Sequence, residues 1–388
     1  MYISKLASAA GANILQILEM RRVELAAKGI DIINLSAGTP DRPPAEHVMQ
    51  AIEKASCDPG NYKYTLIDPP ALTDAVKNWY KNRYNTDLSS EEILSIYGSQ
   101  EGFAHIFHVL CDPGDLIIAG TPGYPIFFYG PLMANAQIYL TPLLPENGFL
   151  VDFEKIPADI AHKARAIIIS YPSNPLGAVA DRAFYEKLIA FAIKYNVAVI
   201  HDNAYSEFVH DGQPAGSFLS IPGAKDVGIE FNSLSKSYNL TGLRISFALG
   251  NKKIIGAFRK LRTNIDYGLS SLDHAAAIAA LSGPQDVVEQ NRRAYRERRN
   301  VFCAALIKNG WNVPMTPASM FTWFPLPERF KKISSEQFCI ELLEKTGVIC
   351  VPGSSFGEGG EGWLRFALIQ PPERLEEAAN RIGEYICT

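Results

Sequence analysis

Three short apolar runs, each delivering a different polar residue at its end, constrain this chain most. Residues 166–170 (Ala-Ile-Ile-Ile-Ser) run into Tyr171-Pro172-Ser173-Asn174-Pro175. Residues 197–200 run into His201-Asp202-Asn203-Ala204-Tyr205, and residues 227–231 run toward Ser233-Leu234-Ser235-Lys236. Runs this short and this apolar predict strands buried on both faces. A helical stretch over residues 181–195 separates the first two. Strands alternating with helices predict an α/β fold, a mostly parallel sheet sandwiched by helices. Ligands of such sheets bind beyond the carboxyl ends of the strands. Asn174, Asp202 and Lys236 all follow strand ends, so one edge of one sheet can present them together.

The remaining segments fit round that sheet. Residues 12–28 have helical spacing and stop at Gly29. A strand-like run at 30–35 leads into Ser36-Ala37-Gly38-Thr39-Pro40-Asp41, where Gly38 lets backbone approach a ligand or simply makes a turn. Helices are predicted over 44–56 and 71–84, with an irregular loop at 60–70 that carries Tyr62 and Tyr64. A strand at 93–97 passes through Gly98-Ser99-Gln100-Glu101-Gly102 into a helix over 103–110. Such a turn offers free N–H groups and the positive end of a helix dipole to an anion. A strand at 115–119 precedes Thr121-Pro122-Gly123-Tyr124-Pro125.

After Gly250 the pattern turns helical, over 252–262, 271–281 and 284–308. Arg292, Arg293, Arg296, Arg298 and Arg299 on the last of these read as a solvated face. Short strands at 320–325, 348–351 and 363–367 then mix with helices in a smaller α+β unit. A chain of 388 residues is too long for one simple core, so two domains are expected.

Lys236 lies among small hydroxyl residues, with Arg244 a short way on. A lysine amine condenses with aldehydes, and hydroxyls with an arginine can hold a phosphate. Together they describe a pocket for a phosphorylated aldehyde, for which pyridoxal 5'-phosphate is the candidate. That cofactor needs a carboxylate to keep its ring nitrogen protonated, and Asp202 is placed for it. Asn174 and Tyr205 are candidate donors to the ring's phenolate oxygen. Ser233, Ser235, Arg244 and the backbone at Ser99, Gln100 and Glu101 are candidate phosphate ligands, and Tyr124 can cover the ring face. Arg365, in Gly362-Trp363-Leu364-Arg365-Phe366-Ala367, is the candidate for a substrate α-carboxylate, which suits a bidentate guanidinium.

With these residues in view, the chain resembles the class I/II aminotransferases of pyridoxal-phosphate fold type I, in wording closest to the aspartate and LL-diaminopimelate aminotransferase-like branch. The resemblance runs from Gly38-x-x-Asp41 through Tyr64, Gly98 to Gly102, Pro122-Gly123-Tyr124-Pro125, Asn174-Pro175, Asp202-x-x-Tyr205 and Ser233-x-Ser235-Lys236 to Arg244. It ends with Pro352-Gly353-x-x-Phe356-Gly357 and Arg365. It implies Lys236, Asp202 and Tyr205 as catalytic residues, with Gly38, Asn174 and Arg365 at the substrate. It implies reversible ping-pong transfer of an α-amino group from an L-amino acid to a 2-oxo acid such as 2-oxoglutarate. It also implies a homodimer in which Tyr64 reaches the neighbouring subunit's cofactor phosphate. A large domain at 45–285 and a small domain at 286–388, joined by the N-terminal segment 1–44, would close over substrate. Two departures stand out. Leu176 replaces the family's threonine, and Leu66-Ile67-Asp68-Pro69-Pro70 lacks the usual glycine near the expected substrate side chain.

A β-lyase on the same fold would use the same Lys236, Asp202 and Arg365. A non-catalytic regulator would need a DNA-binding domain for which the chain has no spare length. The net charge of −4 and pI near 6.0 offer no footprint for nucleic acid. The six cysteines are scattered without a Cys-x-x-Cys pair, as in reduced cytosolic proteins. His105 and His108 are expected to pack on a helix rather than bind metal. Gln16, Glu19 and Arg21-Arg22 interrupt the one apolar run near the N-terminus, against a signal peptide. No run approaches the roughly 20 apolar residues of a membrane span. A soluble, cytoplasmic protein is expected.

Overall fold

A computed structural model describes residues 3–4, 14–212 and 215–387. Its strands are β1 (Ile33–Asn34), β2 (Ile93–Ile96), β3 (Leu116–Thr121), β4 (Gln137–Pro142), β5 (Ala164–Ser170) and β6 (Ala198–Asp202). There follow β7 (Gly228–Ser233), β8 (Ser246–Gly250), β9 (Phe321–Pro325), β10 (Val348–Ile349), β11 (Val351–Pro352) and β12 (Trp363–Ala367). Seven form one sheet in the order β2-β8-β7-β6-β5-β3-β4. Pairing is parallel from β7 through to β4 and antiparallel on both sides of β8. The expected parallel core is present, and β5, β6 and β7 are its centre.

The apolar runs work as expected because alternate side chains face opposite layers. Ile167 and Ile169 join a core with Val199, Tyr80 and Phe247, while Ile168 faces the other way with Ile200, Phe231 and Phe103. Cutting a fully buried residue such as Ile167 to alanine is expected to cost about 2–5 kcal/mol. Helices on each side supply the covers: Pro70–Tyr84 and Arg182–Tyr195 on one face, Ser99–Leu110 and Lys252–Thr263 on the other. Strands β4 and β8 were not expected from the sequence. β4 is an edge strand with exposed Gln137 and Leu140, and β8 (Ser-Phe-Ala-Leu-Gly) is mostly small residues.

A third core joins the N-terminal helix Ile14–Ala27 to the C-terminal third of the chain. Ile14 and Leu18 share it with Phe302, Phe338 and Phe366. The run at 348–351 divides here: β10 pairs with β1, and β11 pairs with β12 in the order β11-β12-β9. The expected strand at 30–35 shrinks to β1, whose partner is only two residues long. Ala12 and Asn13 of the expected first helix lie outside the described residues.

The solvated reading of the arginine-rich helix is corrected. On Asp286–Lys308, Tyr295, Arg298, Arg299 and Phe302 repeat at helical spacing and are all buried. Arg298 donates both terminal nitrogens to Asp41 at 2.7 Å and Nη1 to the Leu368 carbonyl at 3.1 Å. Arg299 donates to the Thr316 carbonyl and pairs with Asp211 at 2.9 Å. Arg293 and Arg296 do face solvent. Among the described residues, no helix is long and apolar enough to cross a membrane.

Candidate active site

A cavity of about 530 Å³ opens at the carboxyl ends of β5, β6 and β7, where the sheet meets the third core. Asp202 is the last residue of β6, hydrogen-bonded in register between Ser170 and Phe231. Its carboxylate accepts the Ala204 N–H at 3.3 Å. Burial pushes its carboxyl up to about 6, opposed by the charges of His201 and Lys236 and by hydrogen bonds. Asp202 thus ends a strand rather than following one, and the rigid sheet fixes it.

Lys236 rides on the single helical turn Leu234–Ser237, which starts where β7 stops. Ser233 makes that turn possible: its hydroxyl accepts the Ser235 N–H at 3.2 Å and is itself held by Ser246 at 2.8 Å. Lys236 Nζ donates to the Gly38 carbonyl, so Gly38 brings backbone into the site. Burial lowers the amine to about 8, reinforced by Arg365 and Arg244 and opposed by Asp202.

The helix Ser99–Leu110 begins earlier than expected, so Ser99, Gln100 and Glu101 are its first turn. Their N–H groups have no intrahelical carbonyl to bond, and Ser99 and Gln100 line the cavity. Arg244 adopts a left-handed conformation (φ 57°) and donates to the Thr241 carbonyl at 2.9 Å. Its guanidinium passes over Gly98 (φ 90°), where any Cβ would collide with it. Tyr124 donates to Gln100 Oε1 at 2.9 Å across the cavity mouth.

Arg365 on β12 is buried and reaches back to the large sheet. Its Nη1 donates to Asn174 Oδ1 at 3.0 Å and its Nη2 to the Ser36 carbonyl at 2.9 Å. Its guanidinium lies 4.2 Å from the Phe321 ring centroid and 4.9 Å from that of Phe356. Burial pulls the pKa of its guanidinium down to about 10, with Tyr205 and Tyr124 opposing, so it stays a cation at neutral pH. Because Asn174 Oδ1 is occupied, its Nδ2 group is the donor left for a ligand. Tyr205 is buried beside Phe321, and burial raises its phenol above the ordinary range.

Most of the expected site residues therefore converge. Two do not. Tyr64 is 85% exposed, packs against Tyr267 and lies off this chain's cavity. The Glu101 side chain turns away to His105 at 2.6 Å and toward Arg262 at 3.6 Å. Glu101 does not line the cavity. The loop at 66–70 also lies away: Asp68 accepts the Ser95 N–H at 2.9 Å and its hydroxyl, while Leu66 and Ile67 are exposed. Leu176 is buried in the core, and Ser173 takes over the turn by accepting the Ala178 N–H at 3.0 Å. The sequence reading missed Leu18, Glu19 and Asn34, which reach the cavity from the N-terminal segment. Nothing local marks them, because only the third core brings that segment there.

The donor set fits pyridoxal phosphate. An amine near neutrality faces a buried carboxylate across the cavity, and a helix N-terminus with Arg244 offers a phosphate seat. Arg365 keeps a buried Nε without a partner among the described residues, available to a carboxylate.

Comparison with known proteins agrees with this geometry. The family model described as aminotransferase class I and II matches residues 30–382. The chain is 42% identical to the LL-diaminopimelate aminotransferase of Dehalococcoides mccartyi over 364 residues, 93% of each protein. It is 41% identical to that of Moorella thermoacetica over 367 residues, 94% of this chain and 93% of the relative. Among solved structures, substrate-bound BacF of Bacillus subtilis superposes with a TM-score of 0.94 at 36% identity, covering 99% of this chain and 98% of that one. Aspartate aminotransferase of Thermotoga maritima superposes at 0.90 and 26% identity, with all of both chains covered.

Proposed function

The chain belongs to the class I and II aminotransferase family, and from that premise we propose how its residues divide the work of amino-group transfer. It is a pyridoxal-phosphate-dependent aminotransferase of fold type I, moving an α-amino group reversibly from an L-amino acid to a 2-oxo acid. The β-lyase alternative finds no support in these relatives. When bound, the cofactor supplies an electron sink for the carbanion formed at the substrate α-carbon.

Everything else falls to the protein. Lys236 Nζ, an amine held near neutrality by burial, holds the aldehyde and takes and returns the α-proton. Asp202 keeps a proton on the ring nitrogen, and the match of charges makes its burial tolerable. Asn174 Nδ2 and Tyr205 Oη would donate to the ring oxygen. The N–H groups at Ser99, Gln100 and Glu101, with Ser233, Ser235 and Arg244, hold the phosphate. Tyr124 covers the ring. Arg365, its guanidinium beside the Phe321 and Phe356 rings, orients the substrate carboxylate. The single observation that carries this reading is that Asp202, Lys236, Asn174 and Arg365, drawn from four separate strands or strand ends, line one cavity.

LL-diaminopimelate comes first among donors to test, since relatives at 41–42% identity bear its name, with 2-oxoglutarate as acceptor. A large domain at 45–285 and a small one at 286–388 with segment 1–44 are supported by the separate cores. A homodimer completed by Tyr64 is supported by the exposed patch of Tyr62, Tyr64, Leu66, Ile67 and Tyr267. A cytoplasmic location is supported by six free thiols. The deciding experiment incubates purified enzyme with a panel of amino donors and 2-oxoglutarate. Glutamate formed in step with donor consumed, and abolished in Lys236→Ala, is the expected result. Pyruvate and ammonia released without an acceptor would overturn it.

A further inference from the structure

The strand that delivers Asp202 also carries a histidine bonded at both of its ring nitrogens. His201 precedes Asp202 on β6 and is fully buried, as is Glu230 directly across on β7. His201 Nε2 lies 3.0 Å from the Tyr171 carbonyl oxygen, and Nδ1 lies 3.0 Å from Glu230 Oε2. A carbonyl oxygen only accepts, so Nε2 carries a proton. Glu230 already receives three other donors. Tyr80 (2.8 Å) and Ser217 (2.9 Å) donate to Oε1, and the Phe218 N–H (2.9 Å) donates to Oε2. Three donors to one carboxyl favour its ionised form. A donor Nδ1 facing that carboxylate completes the set, and an imidazole with both nitrogens protonated is a cation. The Tyr185 hydroxyl stands farther off, at 3.4 Å from Nε2 and 3.4 Å from the same carbonyl, and does not displace that bond.

We propose that His201 and Glu230 form a buried imidazolium–carboxylate pair that positions Asp202 and keeps it ionised. The inference rests on the role assigned to Asp202 above and adds what holds that residue in its working state. Side chains alternate along β6, so the pair lies under the sheet while Asp202 faces the cavity. A fixed positive charge one residue away acts through a dry interior, where little solvent screens it. Burial is the main influence raising the Asp202 carboxyl, and the His201 charge is the largest influence opposing that rise. The other titratable groups that interact with the pair are Tyr80 and Tyr84 from one helix, Tyr185 from another and Tyr171 from the loop after β5. Burial raises all four phenols, so they stay neutral and leave the pair's charges unscreened. His201 is a positioning residue: it touches neither substrate nor cofactor.

The test uses holoenzyme labelled at histidine with the heavy nitrogen isotope, observed by NMR at about pH 8, above the ordinary histidine range. One histidine is expected to show protons on both ring nitrogens there, and Glu230→Gln should reduce it to one. In the same variant the acid limb of the kcat profile should move up by about one pH unit, because Asp202 ionises less readily without the cation. KM for the amino acid should hold steady. A purely structural defect would lower Tm and kcat at every pH without moving the limb. The proposal is overturned if every histidine has a bare ring nitrogen at that pH, or if the limb stays put in Glu230→Gln. The spectrum of the unaltered enzyme decides even if the variant fails to fold. Failure of the Asp202 reading itself would show separately, as an Asp202→Asn enzyme that removes the α-proton at the normal rate.

Discussion

Replacing Arg365 by lysine tests how the site reads a carboxylate. Two of the guanidinium's nitrogens are tethered, to Asn174 at 3.0 Å and to the Ser36 carbonyl at 2.9 Å, and its plane is set by Phe321 and Phe356. Its Nε has no partner among the described residues, and each tethered nitrogen keeps a second proton. The group is a fork held rigid before substrate arrives. Lysine keeps the charge but offers one flexible point donor, so one charge-assisted hydrogen bond to the substrate is lost. That bond contributes about 1.5–3 kcal/mol, which predicts a fall in kcat/KM of about 10- to 150-fold. The assay is the half-reaction of cofactor-loaded enzyme with an L-amino acid and no acceptor, followed by absorbance in single turnover. A primary amine without a carboxylate is the control and should react equally with both enzymes. If kcat/KM changes by less than about twofold, or the control amine suffers the same loss, Arg365 packs the site and does not read the substrate.

Asp202→Asn should still bind pyridoxal phosphate but slow α-proton removal by several orders of magnitude in single turnover; a small change would mean another group protonates the ring. The Lys236 amine sits at about 8, below the ordinary lysine range, because burial disfavours its charge. Its reactive form is the neutral one, so capture of pyridoxal phosphate by apoenzyme should accelerate as pH rises to about 8 and level off above it; a rate independent of pH from about 6 to 9 would refute this. Gly98→Ala forces a left-handed alanine whose Cβ meets the Arg244 guanidinium. It should cost about 1–3 kcal/mol of stability and weaken phosphate seating, read as a lower Tm and a raised Kd for the cofactor; wild-type cofactor affinity would show that Arg244 is free to move aside.

Much of this was legible in the chain because the centre of the sheet is built from local pattern. Runs such as Ala-Ile-Ile-Ile-Ser can only be satisfied between two apolar layers, and both layers exist. The Ser233 cap and Lys236 are neighbours in sequence, so their joint placement needs nothing from elsewhere. What escaped was non-local or compositionally mixed. Strand β8 is mostly small residues, and Arg298 with Arg299 looks solvent-bound until Asp41, Asp211 and two carbonyls close on them.

By itself, the order of residues determined the layered sheet, the grouping of Asn174, Asp202 and Lys236 at its strand ends and the family to which these belong. Tertiary structure alone decided which distant segments share the cavity. It brought the Gly38 carbonyl onto Lys236, locked Arg365 to Asn174, added Leu18 and Glu19 from the first helix and left Tyr64 outside. The physical reason is one of range. Strand and cap preferences come from contacts a few residues apart, whereas these pairings join residues about two hundred positions apart, as between Lys236 and Gly38 or Arg365 and Asn174. They join segments whose positions are set by three separate cores.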